Sequence, residues 1–249
     1  MTAPTRADGG TSSAAAGGGH DDPAPDGGVN VVHDEGMATR PETFWTRRRE
    51  LAPPDDEDAA GGDEGKQLML LADVSGPEVR AEYRRTAAAL EEFECCAASP
   101  FETLHLTVKL FDDVVEGTTV DSAAVERATE IVSSGVARTD PFDVELTRFN
   151  LFPDVVYAEV DDGGRLSELN RRLCAHPEAT TLDRDIEGFI PHLTLGYLTG
   201  NEEYDDLVTF LEDNRKLAFP TLTVGEVKLA VRGVGEWPPT YECLERYEL

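Results

Sequence analysis

His105-Leu106-Thr107-Val108 recurs 87 positions on as His192-Leu193-Thr194-Leu195, and the chain is organised around this repeated phrase. In the first copy Leu104, Leu106, Val108 and Leu110 alternate with His105, Thr107 and Lys109. A period of two is the pattern of a strand with one face in the core. In the second copy Leu193, Leu195 and Tyr197 alternate with His192, Thr194 and Gly196, and Pro191 suits the start of such a strand. Each histidine is therefore expected beside a threonine on the face turned away from the core. A lone histidine on a strand is ordinary composition. Two copies in matching surroundings are not.

The surroundings match on both sides. Residues 67–74 form an apolar run, and Gly76-Pro77 opens a helix whose Val79, Tyr83, Leu90 and Phe93 fall near one stripe. After the first phrase, Asp121 is an N-cap for a helix through about Ser134 that buries Val125, Ala128 and Val132. Residues 142–149 then alternate as a strand. The second copy follows a strand at 155–160 and a helix stripe of Leu166, Leu169 and Leu173, and precedes a helix at 202–216. Strands at 222–231 and 241–249 close the chain. This order predicts two β-α-β-α-β lobes related by a pseudo-twofold.

With 40% hydrophobic residues the chain can bury a real core, but residues 1–65, rich in Gly, Ala, Asp and Pro, cannot contribute to one. They are expected to form a disordered acidic tail, dispensable for chemistry, ahead of one domain at 66–249. Phe44-Trp45-Thr46-Arg47-Arg48-Arg49 in that tail resembles a twin-arginine export signal, yet Pro53 to Asp58 stands where the apolar segment would be. Export is rejected and a partner-docking motif is kept. The net charge of -28 suits a protein held soluble in high salt, and it excludes broad binding to a nucleic-acid backbone or long duplex. A pocket for one phosphate remains open. Cys95, Cys96, Cys174 and Cys243 have no CxxC or zinc spacing, which points to reduced thiols in the cytoplasm. No run reaches transmembrane length, so no membrane partner is expected.

Two facing strands of this kind bring two imidazoles and two hydroxyls to one groove. One histidine can take a proton from the attacking group while the other gives one to the leaving oxygen, since an ordinary pKa near about 6.5 allows either job. Thr107 and Thr194 can donate to the non-bridging oxygens of a phosphate, where charge builds in the transition state. That is phosphodiester chemistry without a metal or other cofactor. Lys109 and Arg148 are further phosphate-binding candidates, and Phe149, Phe152 and Tyr197 are base-stacking candidates. His20, His33 and His176 receive no role.

The paired motifs, and above all Phe189-Ile190-Pro191-His192-Leu193-Thr194-Leu195-Gly196, resemble the two-histidine (2H) phosphoesterase superfamily in its 2′-5′ RNA ligase and cyclic phosphodiesterase branch. The resemblance spans roughly residues 66–249. It implies a bilobal α+β fold with antiparallel sheets lining a central groove and helices outside, and no cofactor. It also implies opening of 2′,3′-cyclic phosphates to 2′-phosphates, with reversible 2′-5′ ligation in some members. Many relatives carry an arginine shortly after the second motif as a phosphate partner, whereas this chain has Tyr197 there. The expected ligand is thus an RNA end or a cyclic nucleotide, handled by a monomer with His105 and His192 as acid and base. The alternative is a binding module that keeps the groove without turnover.

Overall fold

The two histidine phrases fold as β3 (His105–Glu116) and β6 (His192–Leu198), and these strands join the two halves of one antiparallel sheet through the pair Leu106 and Leu193. In the computed structural model, residues 41–50, 65–116, 120–234 and 238–249 are described. On one side of the junction β3 pairs with β1 (Gly65–Asp73), β1 with β8 (Glu226–Val234), and β8 with β9 (Tyr241–Glu248). On the other, β6 pairs with β5 (Val155–Asp161), β5 with β4 (Phe142–Leu151), and β4 with β7 (Leu222–Val224). The short β2 (Cys96–Ala98) also pairs with β6.

This is the expected bilobal α+β architecture, but the lobes are not the two halves of the sequence. Each lobe draws a strand from the other half: β8 joins β1 and β3, while β4 joins β5 and β6. The helices are exchanged in the same way. α2 (Arg80–Leu90), which precedes β3, packs on β2 and β6, and α4 (Arg165–Cys174), which precedes β6, packs on β3. α3 (Ser122–Val136) covers β1, β8 and β9, and α5 (Tyr204–Asp213) covers β4. Asp121 does cap α3, accepting from the Ala123 N–H at 3.2 Å. The helices bury Leu90, Val132, Leu166, Leu169, Leu173, Leu207 and Leu211 against one face of the sheet, leaving the opposite face for the groove.

Strict alternation fails at one matching point in each motif. Thr107 pairs with Leu71 and Lys109 with Leu70, so Val108 is a bulge; Tyr157 pairs with Thr194 and Val156 with Gly196, so Leu195 is another. A bulge adds one residue and turns every later side chain to the other face. Lys109 and Gly196 therefore point to the helix side, while Leu110 and Tyr197 turn to the groove. Gly196 has no room for a side chain there, since a Cβ would stand 2.9 Å from Cys96 Sγ and 3.2 Å from the Ala97 carbonyl oxygen.

Part of the expected tail belongs to the folded domain. Residues Pro41–Arg49 form α1, and Trp45 is only 2% exposed, seated in the main core. Arg49 donates to the Asp205 carbonyl (3.1 Å) and to Glu212 (3.0 Å), Arg48 donates to Asn150 Oδ1 (2.9 Å), and Tyr204 Oη donates to the Arg48 carbonyl (3.0 Å). One tryptophan buries enough surface to anchor a short helix of mostly polar residues. The tail reading for residues 1–40 and 51–64 lies outside the described residues. Trp45→Ala is expected to lower the unfolding free energy by about 3–5 kcal/mol, read by urea denaturation. Truncation through residue 60 removes the same anchor, so it is expected to destabilise the domain rather than leave it untouched. No helix among the described residues is long and apolar enough to cross a membrane, and the four cysteines are free.

Candidate active site

Antiparallel register sets the site. With Leu106 opposite Leu193, His105 falls beside Thr194 and His192 beside Thr107, all four on the groove face. Neighbouring side chains on one face of such a pair lie about 4.5–5.5 Å apart at Cβ. A square results, with imidazoles at one pair of opposite corners and hydroxyls at the other. Among the described residues, neither threonine hydroxyl has a protein hydrogen-bond partner.

The two rings are held identically. His105 Nδ1 lies 2.7 Å from the Thr103 carbonyl oxygen, and His192 Nδ1 lies 2.7 Å from the Ile190 carbonyl oxygen. A carbonyl only accepts, so Nδ1 carries the hydrogen in both rings and each neutral Nε2 keeps its lone pair for a substrate proton. A single 3-10 turn precedes each strand, Phe101–Thr103 and Ile186–Gly188; Thr103 ends the first, while Ile190 lies two residues past the second. Burial pushes the His105 pKa down to about 4, against the opposing pull of the Thr103 carbonyl; His192 and Arg232 push it further down. Burial also lowers the His192 pKa, opposed by the Ile190 carbonyl and Asp154 and assisted by Arg184.

Aromatic rings wall the square. Tyr241 stands edge-on to His105 at 4.7 Å between centroids. Phe152 stacks on Tyr157 at 4.2 Å, and both meet the His192 ring edge-on, at 5.1 and 5.5 Å. Tyr197, turned inward by the Leu195 bulge, hydrogen-bonds Tyr241. Phe152 and Tyr197 therefore lie on the groove side, beside His192 and Tyr241. Phe149 does not: it is 5% exposed on the helix side, packed near Phe210.

One of the two basic candidates is corrected. The Val108 bulge turns Lys109 away from the groove, and its ammonium is fully buried, 2.6 Å from Asp185 Oδ2 and 2.9 Å from the Thr180 carbonyl. Asn170 completes the cluster, donating to Asp185 Oδ1 (2.8 Å) and to the Val108 carbonyl (2.9 Å) and accepting from the Ile186 N–H (2.9 Å). Burial works to raise the Asp185 pKa, but hydrogen bonds from the Leu182 N–H, Lys109 and Asn170 outweigh it and hold the carboxyl below its ordinary value. Lys109 thus fastens the loop that leads into His192. Lys109→Met leaves an unpaired buried carboxylate and is expected to cost about 3–5 kcal/mol of stability in urea unfolding. Arg148 is exposed and lies 3.2 Å from Glu159, which stands opposite His192 in the β5–β6 register.

Tyr157, Tyr241 and Arg232 line the groove without having been singled out from the sequence, and the charge of Arg184, in the loop before β6, acts on His192. Arg232 on β8 lies opposite Gln67 on one side and Tyr241 on the other. Its alternation with Val231 is legible as strand, but which strands flank it is not, because β8 comes from the far end of the chain. Arg184 falls in a polar stretch that carries no periodic signal.

The comparisons agree with this geometry. The model of the 2′-5′ RNA ligase superfamily matches residues 77–236. The RNA 2′,3′-cyclic phosphodiesterase of Methanothermobacter thermautotrophicus is 27% identical over 154 residues, covering 59% of this chain and 79% of that one. Two solved structures share the fold: TT0787 of Thermus thermophilus, with a TM-score of 0.57, 19% identity and coverage of 74% and 97%, and E. coli LigT complexed with 3′-AMP, with a TM-score of 0.53, 18% identity and coverage of 75% and 98%. With its paired histidine strands at the junction of two exchanged lobes, the chain belongs to the 2′-5′ RNA ligase superfamily and is a two-histidine phosphoesterase of the LigT-like branch.

Proposed function

We propose that this enzyme opens 2′,3′-cyclic phosphates, at an RNA end or on a small nucleotide, to leave a 2′-phosphate. The observation that carries the reading is the symmetry of the two rings: both Nδ1 atoms are tied to backbone carbonyls, so both Nε2 atoms are left for the substrate. One histidine takes a proton from water as its oxygen bonds to phosphorus. The other gives a proton to O3′ as the P–O3′ bond breaks. Thr107 and Thr194 donate to the two non-bridging oxygens, which gain charge as the phosphorus becomes five-coordinate. If a 5′-hydroxyl replaces water, the same bond changes produce a 2′-5′ linkage, which is how the groove would support ligation. The curated relative's name, RNA 2′,3′-cyclic phosphodiesterase, supports the same substrate class.

The test is incubation of the full chain with 2′,3′-cyclic AMP in molar salt with a chelator, assigning the product by chromatography against both AMP isomers. The expected product is 2′-AMP at a rate the chelator does not change. 3′-AMP as the main product would reverse the assigned bond cleavage, and binding without turnover would make the groove a nucleotide-binding module instead.

A further inference from the structure

β3 and β6 share one residue pair, Leu106 with Leu193, so little ladder pairing fixes the two histidine phrases relative to each other. Two buried braces cross that junction. On α4, Asn170 is fully buried, and both amide hydrogens and the carbonyl oxygen are used. Nδ2 donates to the Val108 carbonyl (2.9 Å) and to Asp185 Oδ1 (2.8 Å), while Oδ1 accepts from the Ile186 N–H (2.9 Å). Val108 is the bulge that follows Thr107, and Ile186 opens the turn that leads toward His192. One side chain therefore fastens the approaches to Thr107 and His192, which are neighbours in the square.

The second brace uses other residue types. Ser99, just after β2, donates its N–H to the Leu195 carbonyl (3.0 Å) and its Oγ–H to the Thr194 carbonyl (3.2 Å), and its own carbonyl accepts from Tyr83 Oη on α2. Leu195 is the bulge that follows Thr194, and Ser99 leads through the Phe101–Thr103 turn to His105. Ser99 and Tyr83 are both buried. The offset of 87 residues that relates His105 to His192 also relates Tyr83 to Asn170, Ser99 to Ile186 and Val108 to Leu195. The braces are thus two copies of one pseudo-twofold device, masked in the sequence because Tyr stands for Asn and Ser for Ile. In each copy the segment leading into one histidine holds the bulge beyond the other phrase's threonine.

We infer that these braces are positioning devices for the reaction: Asn170 aims Thr107 and His192, and Ser99, fixed by Tyr83, aims Thr194 and His105. A bulge re-aims the side chains around it, so a pinned bulge carbonyl fixes where the preceding threonine hydroxyl points. Donors to a developing oxyanion must be held to within about 0.5 Å, and a misplacement of about 1 Å can cost on the order of a hundredfold in rate. Neither brace touches the phosphate. Both act through the threonines and histidines, so the inference rests on the roles proposed for those residues.

The experiment is steady-state turnover of 2′,3′-cyclic AMP by the full chain. Tyr83→Phe and Ser99→Ala each remove one hydroxyl and keep the Ser99 N–H in place, and thermal melting checks that both are folded. Asn170 is left intact, because its loss would strand the buried Val108 carbonyl, Ile186 N–H and Asp185 carboxylate. Each of the two variants is expected to lower kcat by about three- to thirtyfold, with KM changed by less than about twofold. The deciding comparison places Ser99→Ala in two backgrounds. Its factor should shrink toward one in Thr194→Ala, where the hydroxyl it aims is gone, and keep its full size in Thr107→Ala, which belongs to the other brace. Equal factors in the two backgrounds, or an unchanged kcat in both Tyr83→Phe and Ser99→Ala, would overturn the positioning role while leaving the phosphodiesterase reading standing. Thr107→Ala and Thr194→Ala as active as the parent chain would sink the oxyanion role and the braces with it.

Discussion

His105→Ala and His192→Ala are each expected to slow turnover of a 2′,3′-cyclic nucleotide by about 10²- to 10⁴-fold, the range for losing one general acid or base. In the proposed mechanism the two side chains serve one phosphate from opposite corners of the square, and neither contributes to the main core. The substitutions should therefore spare the fold, which a circular dichroism melt would check. Acid and base act as a unit, so the double variant should be little worse than the worse single one. Additive losses would mean that the histidines serve separate steps. If one of them could be lost with little effect, the paired mechanism would be wrong for this chain.

The second large effect concerns the hydroxyls. Thr107→Ala and Thr194→Ala are each expected to slow the reaction by about ten- to a thousandfold, as for removal of one donor to a developing oxyanion. Because the charge on those oxygens grows in the transition state, the loss should fall mainly on kcat, with KM changed less. Serine retains the hydroxyl, so Thr107→Ser and Thr194→Ser should recover most of the rate. Steady-state kinetics on the four variants checks this. Losses confined to KM would make the threonines ground-state ligands, and full activity in both alanine variants would show that their hydroxyls do not face the phosphate.

The period-two pattern made the histidine strands legible, and with them both histidines and both threonines, because the pattern is unbroken up to Thr107 and Thr194. One residue later it misled. The bulges at Val108 and Leu195 leave no mark in an apolar/polar string, so alternation alone put Lys109 on the groove face and Tyr197 on the core face, and the structure reverses both placements. Lobe membership was illegible for a different reason: β4 and β8 cross between halves, and strand alternation says which face is buried but not which neighbour it pairs with. Arg232 was hidden by that crossing. Trp45 was masked by its surroundings, since a nine-residue stretch of mostly polar residues gives no helical stripe. Its burial comes from one side chain and from Arg48 and Arg49 reaching across to Asn150 and α5.

Lowered histidine pKa values give the central claim its most direct measurement, the pH dependence of kcat/KM for 2′,3′-cyclic AMP. That quantity reports the free enzyme, in which burial holds His105 near about 4 and His192 below its ordinary value. The productive form holds one proton across the pair, so its population peaks between the two pKa values and declines on either side. The profile should be a bell with its maximum below about pH 6.5, falling toward about pH 8 as the donor loses its proton and toward about pH 4 as the acceptor gains one. A bound phosphate anion favours the imidazolium, so the kcat bell should lie at higher pH than the kcat/KM bell. His105→Ala and His192→Ala should each remove one limb from the residual activity. A profile flat from about pH 5 to 8, or a bell that survives intact in either variant, would contradict the assignment of acid and base to these two histidines.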